Sequence, residues 1–219
     1  MPLDFYHGHG SPYGWRVFLA LEHLEIPYHL KVVSFSDKDH LKPEFLAINP
    51  RHRVPTIVDD GFALWESTVI LEYLDERFPG ADGSRRLYPG DAKARALVRR
   101  RAREAEEYVG KDGIDPIVTE HFFKGAEPPD AARVAKAKER LAEELGAYEG
   151  VLAGEYLFGA APTAADFVFY PFIAYVKRLT SRKPELALTA FLGPKLAAWA
   201  SRMESAPYFD KTYPPHWRS

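Results

Sequence analysis

The polar and apolar positions divide the chain near residue 80. In the first part, short alternating runs interleave with stretches of helical period. Leu3-Asp4-Phe5-Tyr6 alternates like a strand and is broken by His7-Gly8-His9-Gly10. Ser11-Pro12 has the form of a helix start, with Ser as N-cap and Pro at the first helical position. Val17, Phe18, Leu21 and Leu24 then recur at helical spacing as a buried face. Tyr28 to Val33 reads as a second strand. Leu41, Phe45, Leu46 and Ile48 suggest a short second helix, closed by Asn49-Pro50. Thr56-Ile57-Val58, the turn residues Asp59-Asp60-Gly61 and Phe62-Ala63-Leu64 predict a β-hairpin. Ser67 opens one more helix, which ends near Phe78-Pro79. The resulting order, βαβαββα, is that of an α/β sandwich.

After it the strand signal disappears. Pro79 to Gly90 is rich in Gly, Ser, Pro and charge, which sets a first domain at 1–79, a linker at 80–90 and a second domain at 91–219. Residues 91–109 and 130–149 are strongly helical in composition, the latter bounded by Pro128-Pro129 and Gly150. Thr163-Ala164-Ala165-Asp166 has capping-box spacing with Asp in place of Glu. The helix it starts is apolar on nearly every side, so it is expected at the centre of an all-helical domain, with a kink at Pro171. Two short helices fit 184–192 and 194–204, before an aromatic tail ending Tyr213-Pro214-Pro215-His216-Trp217.

Composition narrows the function classes. At 46% hydrophobic and 27% charged, with a net charge of −2, the chain is an ordinary globular protein with no global field for nucleic acid or anionic membrane. No apolar run approaches the roughly 18 residues of a membrane span. The N-terminal stretch lacks the form of a signal peptide, so a cytoplasmic location is expected. There is no cysteine. Disulfides, zinc–thiolate sites and a protein thiol nucleophile are thereby excluded, and any reacting sulfur must arrive with a substrate. His7 and His9 have an i, i+2 spacing but no nearby carboxylate, and no metal site is expected.

The segment from Val54 to Ser67 carries the most chemistry. Pro55 cannot donate to a sheet ladder, so Val54 is left extended with backbone groups available to an extended peptide. Ser67, at a helix N-terminus, suits a carboxylate, and Glu66 adds a fixed negative charge. Together they suit a small zwitterionic peptide.

Over essentially the whole chain the pattern resembles the cytosolic glutathione transferase family, in its serine-type classes (tau-, theta- and phi-like and related bacterial members). Ser11-Pro12-Tyr13-Gly14-Trp15-Arg16-Val17, Asn49 to Pro55, Glu66-Ser67 and Thr163 to Asp166 carry the resemblance. His52 stands where many members have Gly, and Leu41 near where some have a lysine. The resemblance implies a thioredoxin-like N-terminal domain, an all-α C-terminal domain, a homodimer and glutathione as co-substrate without a metal. It implies that Ser11 stabilises the glutathione thiolate as a hydrogen-bond donor, with Tyr6 and Tyr13 as rival donors. Val54 and Pro55 would meet the cysteinyl unit and Glu66 and Ser67 the γ-glutamyl end, with His40, Lys42 or Arg53 at the glycyl carboxylate. A small hydrophobic electrophile would lie among Tyr13, Tyr108, Phe122, Phe123, Tyr175 and Trp217. Neither nucleic acid nor membrane is an expected partner. Glutathione-dependent reduction of disulfides or peroxides is an alternative activity, and a non-catalytic interaction module is another.

Overall fold

The protein is described by a computed structural model over residues 2–78 and 85–218. It divides into two compact units: Met1–Gly90 with Ala206–Ser219, and Asp91–Ser205. The tail, expected in the second domain, thus groups with the first unit.

In the first unit β1 (Leu3–His7), α1 (Pro12–His23), β2 (Tyr28–Val32), α2 (Pro43–Ile48), β3 (Thr56–Asp59), β4 (Phe62–Trp65) and α3 (Ser67–Arg77) follow the expected order. The sheet order is β2-β1-β3-β4, with β1 parallel to β2 and antiparallel to β3. This is a thioredoxin-like arrangement. β1 is central, so alternate residues Leu3, Phe5 and His7 are buried, and Phe5 packs edge-on against Phe18 and Tyr28. The hairpin turn has positive φ at both Asp60 (49°) and Gly61 (83°), the backbone that joins strands with matching twist.

The described end of the linker is anchored. Asp75, buried in α3, takes two bonds from the Arg86 guanidinium (3.1 and 2.7 Å) and one from the Leu87 amide (2.6 Å). A buried carboxylate needs such partners. The tail holds α1 from another side. Thr212 in α9 (Phe209–Thr212) accepts a bond from the Trp15 indole at 3.0 Å, and Trp217 packs edge-on against Trp15.

The second unit is all helix: α4 (Ala92–Glu104), α5 (Asp115–Val118), α6 (Ala131–Val151), α7 (Ala164–Arg182) and α8 (Pro194–Glu204). The helix of 91–109 continues beyond its expected end, through π-helical stretches at Ala105–Ile114 and Thr119–Phe123. Burial of Val109, Ile114 and Ile117 outweighs the low helix propensity of Gly110 and Gly113. The helix expected over 184–192 is instead two 3-10 turns, Pro184–Leu186 and Leu188–Phe191, separated by Ala187 at φ 50°.

α7 is the buried centre, and its capping box forms. Asp166 accepts from the Thr163 amide and hydroxyl (both 2.8 Å), the Leu157 amide (2.9 Å) and the Trp199 indole (2.9 Å). Phe169 stacks between Tyr148 and Trp199. Arg100 pairs with Glu104 (3.4 Å) and Arg103 with Glu107 (2.6 Å). No described helix is long and apolar enough to cross a membrane.

Candidate functional site

The end of β1, the N-terminus of α1 and the loop before β3 meet within the first unit. Ser11 is the N-cap of α1, extended at φ −72° and ψ 121°, and its Oγ accepts from the Gly14 amide at 3.2 Å. That bond occupies an acceptor lone pair and leaves the hydroxyl hydrogen to be donated elsewhere. The remaining amides of the first helical turn add partial positive charge at the same place.

Three residues before Ser11, the backbone is hemmed in. A Cβ on Gly8 would lie 2.5 Å from a Phe35 ring carbon and 3.3 Å from Val54 Cγ2. The Ser11 amide bonds back to the Gly8 carbonyl at 3.0 Å. The loop that presents Ser11 is therefore seated directly on Val54, whose bond to Pro55 is cis. Val54 itself packs with Val33 and Phe45, and Tyr6 lies against that cluster, half-buried. Tyr6 is thus a packing residue.

The loop that carries Val54 is held by Asn49, read from sequence as a helix stop and as the first residue of the motif that runs to Pro55. Its buried side chain donates to the Arg53 carbonyl (2.8 Å) and Thr56 Oγ1 (2.9 Å), and accepts from the Arg51 amide (2.9 Å). His52 has φ 46°. Histidine tolerates this left-handed region better than most side chains.

Ser67 and Glu66 form the second half. Ser67 is buried at the start of α3, and its Oγ accepts from Arg16 Nη1 at 3.3 Å. Arg16 comes from α1 and is 0% exposed, with its guanidinium 4.8 Å from the Tyr13 ring centre. A buried cation beside a helix N-terminus favours an anion there more than the terminus alone. The sequence signal for Arg16 was a lone charge among the buried positions Trp15 to Leu21. Glu66 is exposed and has φ 71° and ψ 104°, a strained backbone for a residue with a Cβ.

The basic rim is uneven. His40 is half-buried in a 3-10 turn, with its ring 5.3 Å from that of Phe35, on the Gly8 side of the cluster. Lys42 is paired with Asp39 at 2.6 Å, which raises its pKa and ties it down. Arg53 is exposed.

Three imidazoles lie beside Ser11. His7 is 1% exposed, and His9 meets it edge-on with ring centres 5.2 Å apart. Gly10, at φ 87°, leaves room for the tail: a Cβ there would lie 2.9 and 3.0 Å from His216 Cε1 and Nε2. Burial, then the His9 charge, lowers the His7 pKa to about 3. His9 is lowered by burial and then by His216. No group of three or more metal-binding side chains is found among the described residues.

The expected apolar wall is spread over both units. Tyr13 and Trp217 are half-buried in the first unit, the latter within the tail. Tyr108, Phe122 and Phe123 are exposed on the π-helical stretches of the second, Phe123 at 78%, and Tyr175 is half-buried in α7.

Residues 10–77 match the family profile described as the glutathione S-transferase N-terminal domain, and 112–207 that of its C-terminal domain. Glutathione S-transferase D7 of Drosophila melanogaster is 29% identical over 213 residues, covering 93% of this chain and 89% of that protein. The crystal structure of a glutathione S-transferase from the Antarctic clam Laternula elliptica matches with a TM-score of 0.81 at 30% identity, covering 100% of this chain and 95% of that one. An epsilon-class enzyme from the housefly Musca domestica has a TM-score of 0.79 at 28% identity, covering 99% and 94%.

Proposed function

The chain belongs to the cytosolic glutathione S-transferase family, whose enzymes use glutathione as co-substrate, and on that premise we propose that it activates the glutathione thiol through Ser11 and joins it to hydrophobic electrophiles. The observation that carries this reading is Ser11 at the N-cap of α1, in a loop seated through Gly8 on the side chain of Val54. A thiol of pKa about 8.5 is only a few per cent ionised at neutral pH. A hydroxyl donor and a helix N-terminus aimed at sulfur stabilise its charged form. The Gly14 amide bond to Ser11 Oγ polarises the hydroxyl in the right sense.

In this reading the backbone of Val54 pairs with the cysteinyl unit. Ser67, the first amides of α3 and the buried Arg16 charge receive the γ-glutamyl carboxylate, and Glu66 receives its ammonium. His40 and Arg53 are the groups for the glycyl carboxylate, since Lys42 is engaged by Asp39. Within the first unit, Tyr13 and Trp217 supply apolar surface for the electrophile. The active species is a homodimer.

Calorimetry with glutathione and with cysteinylglycine, followed by turnover of a chloronitrobenzene, tests the proposal. Glutathione should bind, the dipeptide should bind at least about tenfold more weakly for want of the γ-glutamyl contacts, and the aryl halide should be conjugated. Equal binding of both peptides would contradict the assigned γ-glutamyl site. Faster turnover of a hydroperoxide or small disulfide than of the aryl halide would make reduction the main activity.

A further inference from the structure

Gly14 lies inside α1, three residues past Ser11, and its φ is not positive. The backbone there does not call for glycine, and glycine within a helix is less stable than alanine. What the missing side chain leaves is room. A Cβ on Gly14 would lie 2.4 Å from His7 Nδ1 and 3.0 Å from His7 Cε1, closer than such atoms can approach. The edge of the His7 ring therefore rests directly against the first turn of α1. The amide of the same Gly14 donates to Ser11 Oγ at 3.2 Å, so the contact is one residue's width from the hydroxyl.

His7 stands on a firm base. It is the last residue of β1, the central strand, opposite Val32 in β2, and its carbonyl accepts from the Val33 amide at 2.8 Å. Its ring is 1% exposed, stacked on Phe5 (5.5 Å) and met edge-on by Phe18 (5.4 Å) and His9 (5.2 Å).

We propose that His7 is a positioning residue for Ser11: its ring holds the first turn of α1 at Gly14 and so keeps the Ser11 hydroxyl aimed at the sulfur of bound glutathione. This rests on the glutathione reading above. Neither ring nitrogen of His7 has a hydrogen-bond partner among the described residues, so the ring acts on Gly14 by contact. Burial, then the His9 charge, lowers its pKa to about 3, so it is neutral at pH 7 and its removal takes away shape without taking away charge. A hydrogen-bond donor loses strength steeply as its alignment fails, which makes Ser11 sensitive to the seat of the turn that carries it.

The test separates this role from simple core filling. His7→Ala removes the edge that touches Gly14. His7→Asn keeps that edge, because its amide group falls where Cγ and Nδ1 stood, but gives up the rest of the ring. Both leave space in the core and should melt below wild type. Ultraviolet titration of the bound thiolate should show its pKa raised by about one unit in His7→Ala and unchanged in His7→Asn. In His7→Ala, kcat for an aryl halide should fall about tenfold while KM for glutathione stays within about twofold of wild type. Gly14→Ala should also raise the thiol pKa, and the added methyl group should do less harm in His7→Ala/Gly14→Ala, where the ring no longer opposes it. A thiol pKa that simply follows the melting temperature across the His7 variants, or a Gly14→Ala effect as large without the ring as with it, would overturn the proposal. Failure of wild type to bind glutathione, or to ionise its thiol below the free value, would instead overturn the underlying glutathione reading.

Discussion

Asn49 is the residue on which the backbone of the loop proposed to meet glutathione depends. Its side chain makes three hydrogen bonds, to Arg53, Thr56 and Arg51, all of them inside the segment that carries Val54 and the cis bond. Thr56 Oγ1 also donates to the Arg53 carbonyl at 3.3 Å, so the loss of Asn49 weakens the anchor without abolishing it. At a net value of about 1 kcal/mol per bond, Asn49→Ala should destabilise the protein by about 3 kcal/mol. For a chain of this size that lowers Tm by about 6–12 °C. Holding one further backbone residue at binding costs about 1–2 kcal/mol, so Kd for glutathione should rise about tenfold. Asn49→Asp should be worse, because it sets a carboxylate oxygen against the Arg53 carbonyl. Thermal melts and calorimetric titration of the three proteins measure both effects. The reasoning is refuted if Asn49→Ala melts within about 2 °C of wild type and binds glutathione equally well.

Two predictions concern the second unit. Asp166→Ala would leave four donors, on Leu157, Thr163 (two) and Trp199, without their acceptor in the core. Urea unfolding should show a loss of about 4 kcal/mol, and a loss below about 1 kcal/mol would contradict the capping account. Glu120 is held down to about 2 from 4.5 by the Asp130 amide and Lys124, with Arg133 also in contact at 3.0 Å. A carboxylate depressed in the folded state stabilises fully above its unfolded value and loses that contribution as pH falls. The stability gap between wild type and Glu120→Gln should therefore be constant above about pH 4.5 and close between about 4.5 and 2. A gap that is independent of pH across that window would rule the ion cluster out as its source.

Much of this was legible because local chemistry and the tertiary fold agree. The Asp60-Gly61 turn, the Ser11-Pro12 helix start and the Thr163 capping box each state their geometry in a few adjacent residues, and all three form. What was not legible depends on partners distant in sequence. Arg16 gains its place from Ser67, 51 residues away, and Trp15 from Thr212, 197 residues away. The tail reads as a simple continuation of the helical part, yet His216 and Trp217 lie on the loop that presents Ser11. The π-helical stretches were hidden for a similar reason. Glycine at 110 and 113 predicts a weak helix, and only burial against α6 and α7 sustains one.

The central claim is that the Ser11 hydroxyl stabilises the thiolate of bound glutathione. Ultraviolet titration of the thiolate in the wild-type and Ser11→Ala complexes measures it directly. Losing one aligned donor costs about 2.7 kcal/mol or more, roughly two pKa units. The bound thiol should therefore ionise below neutrality in wild type and return toward about 8.5 in Ser11→Ala, with conjugation about 100-fold slower. Ser11→Thr, which keeps the hydroxyl, should restore most of both. The same thiol pKa in wild type and Ser11→Ala would contradict the account.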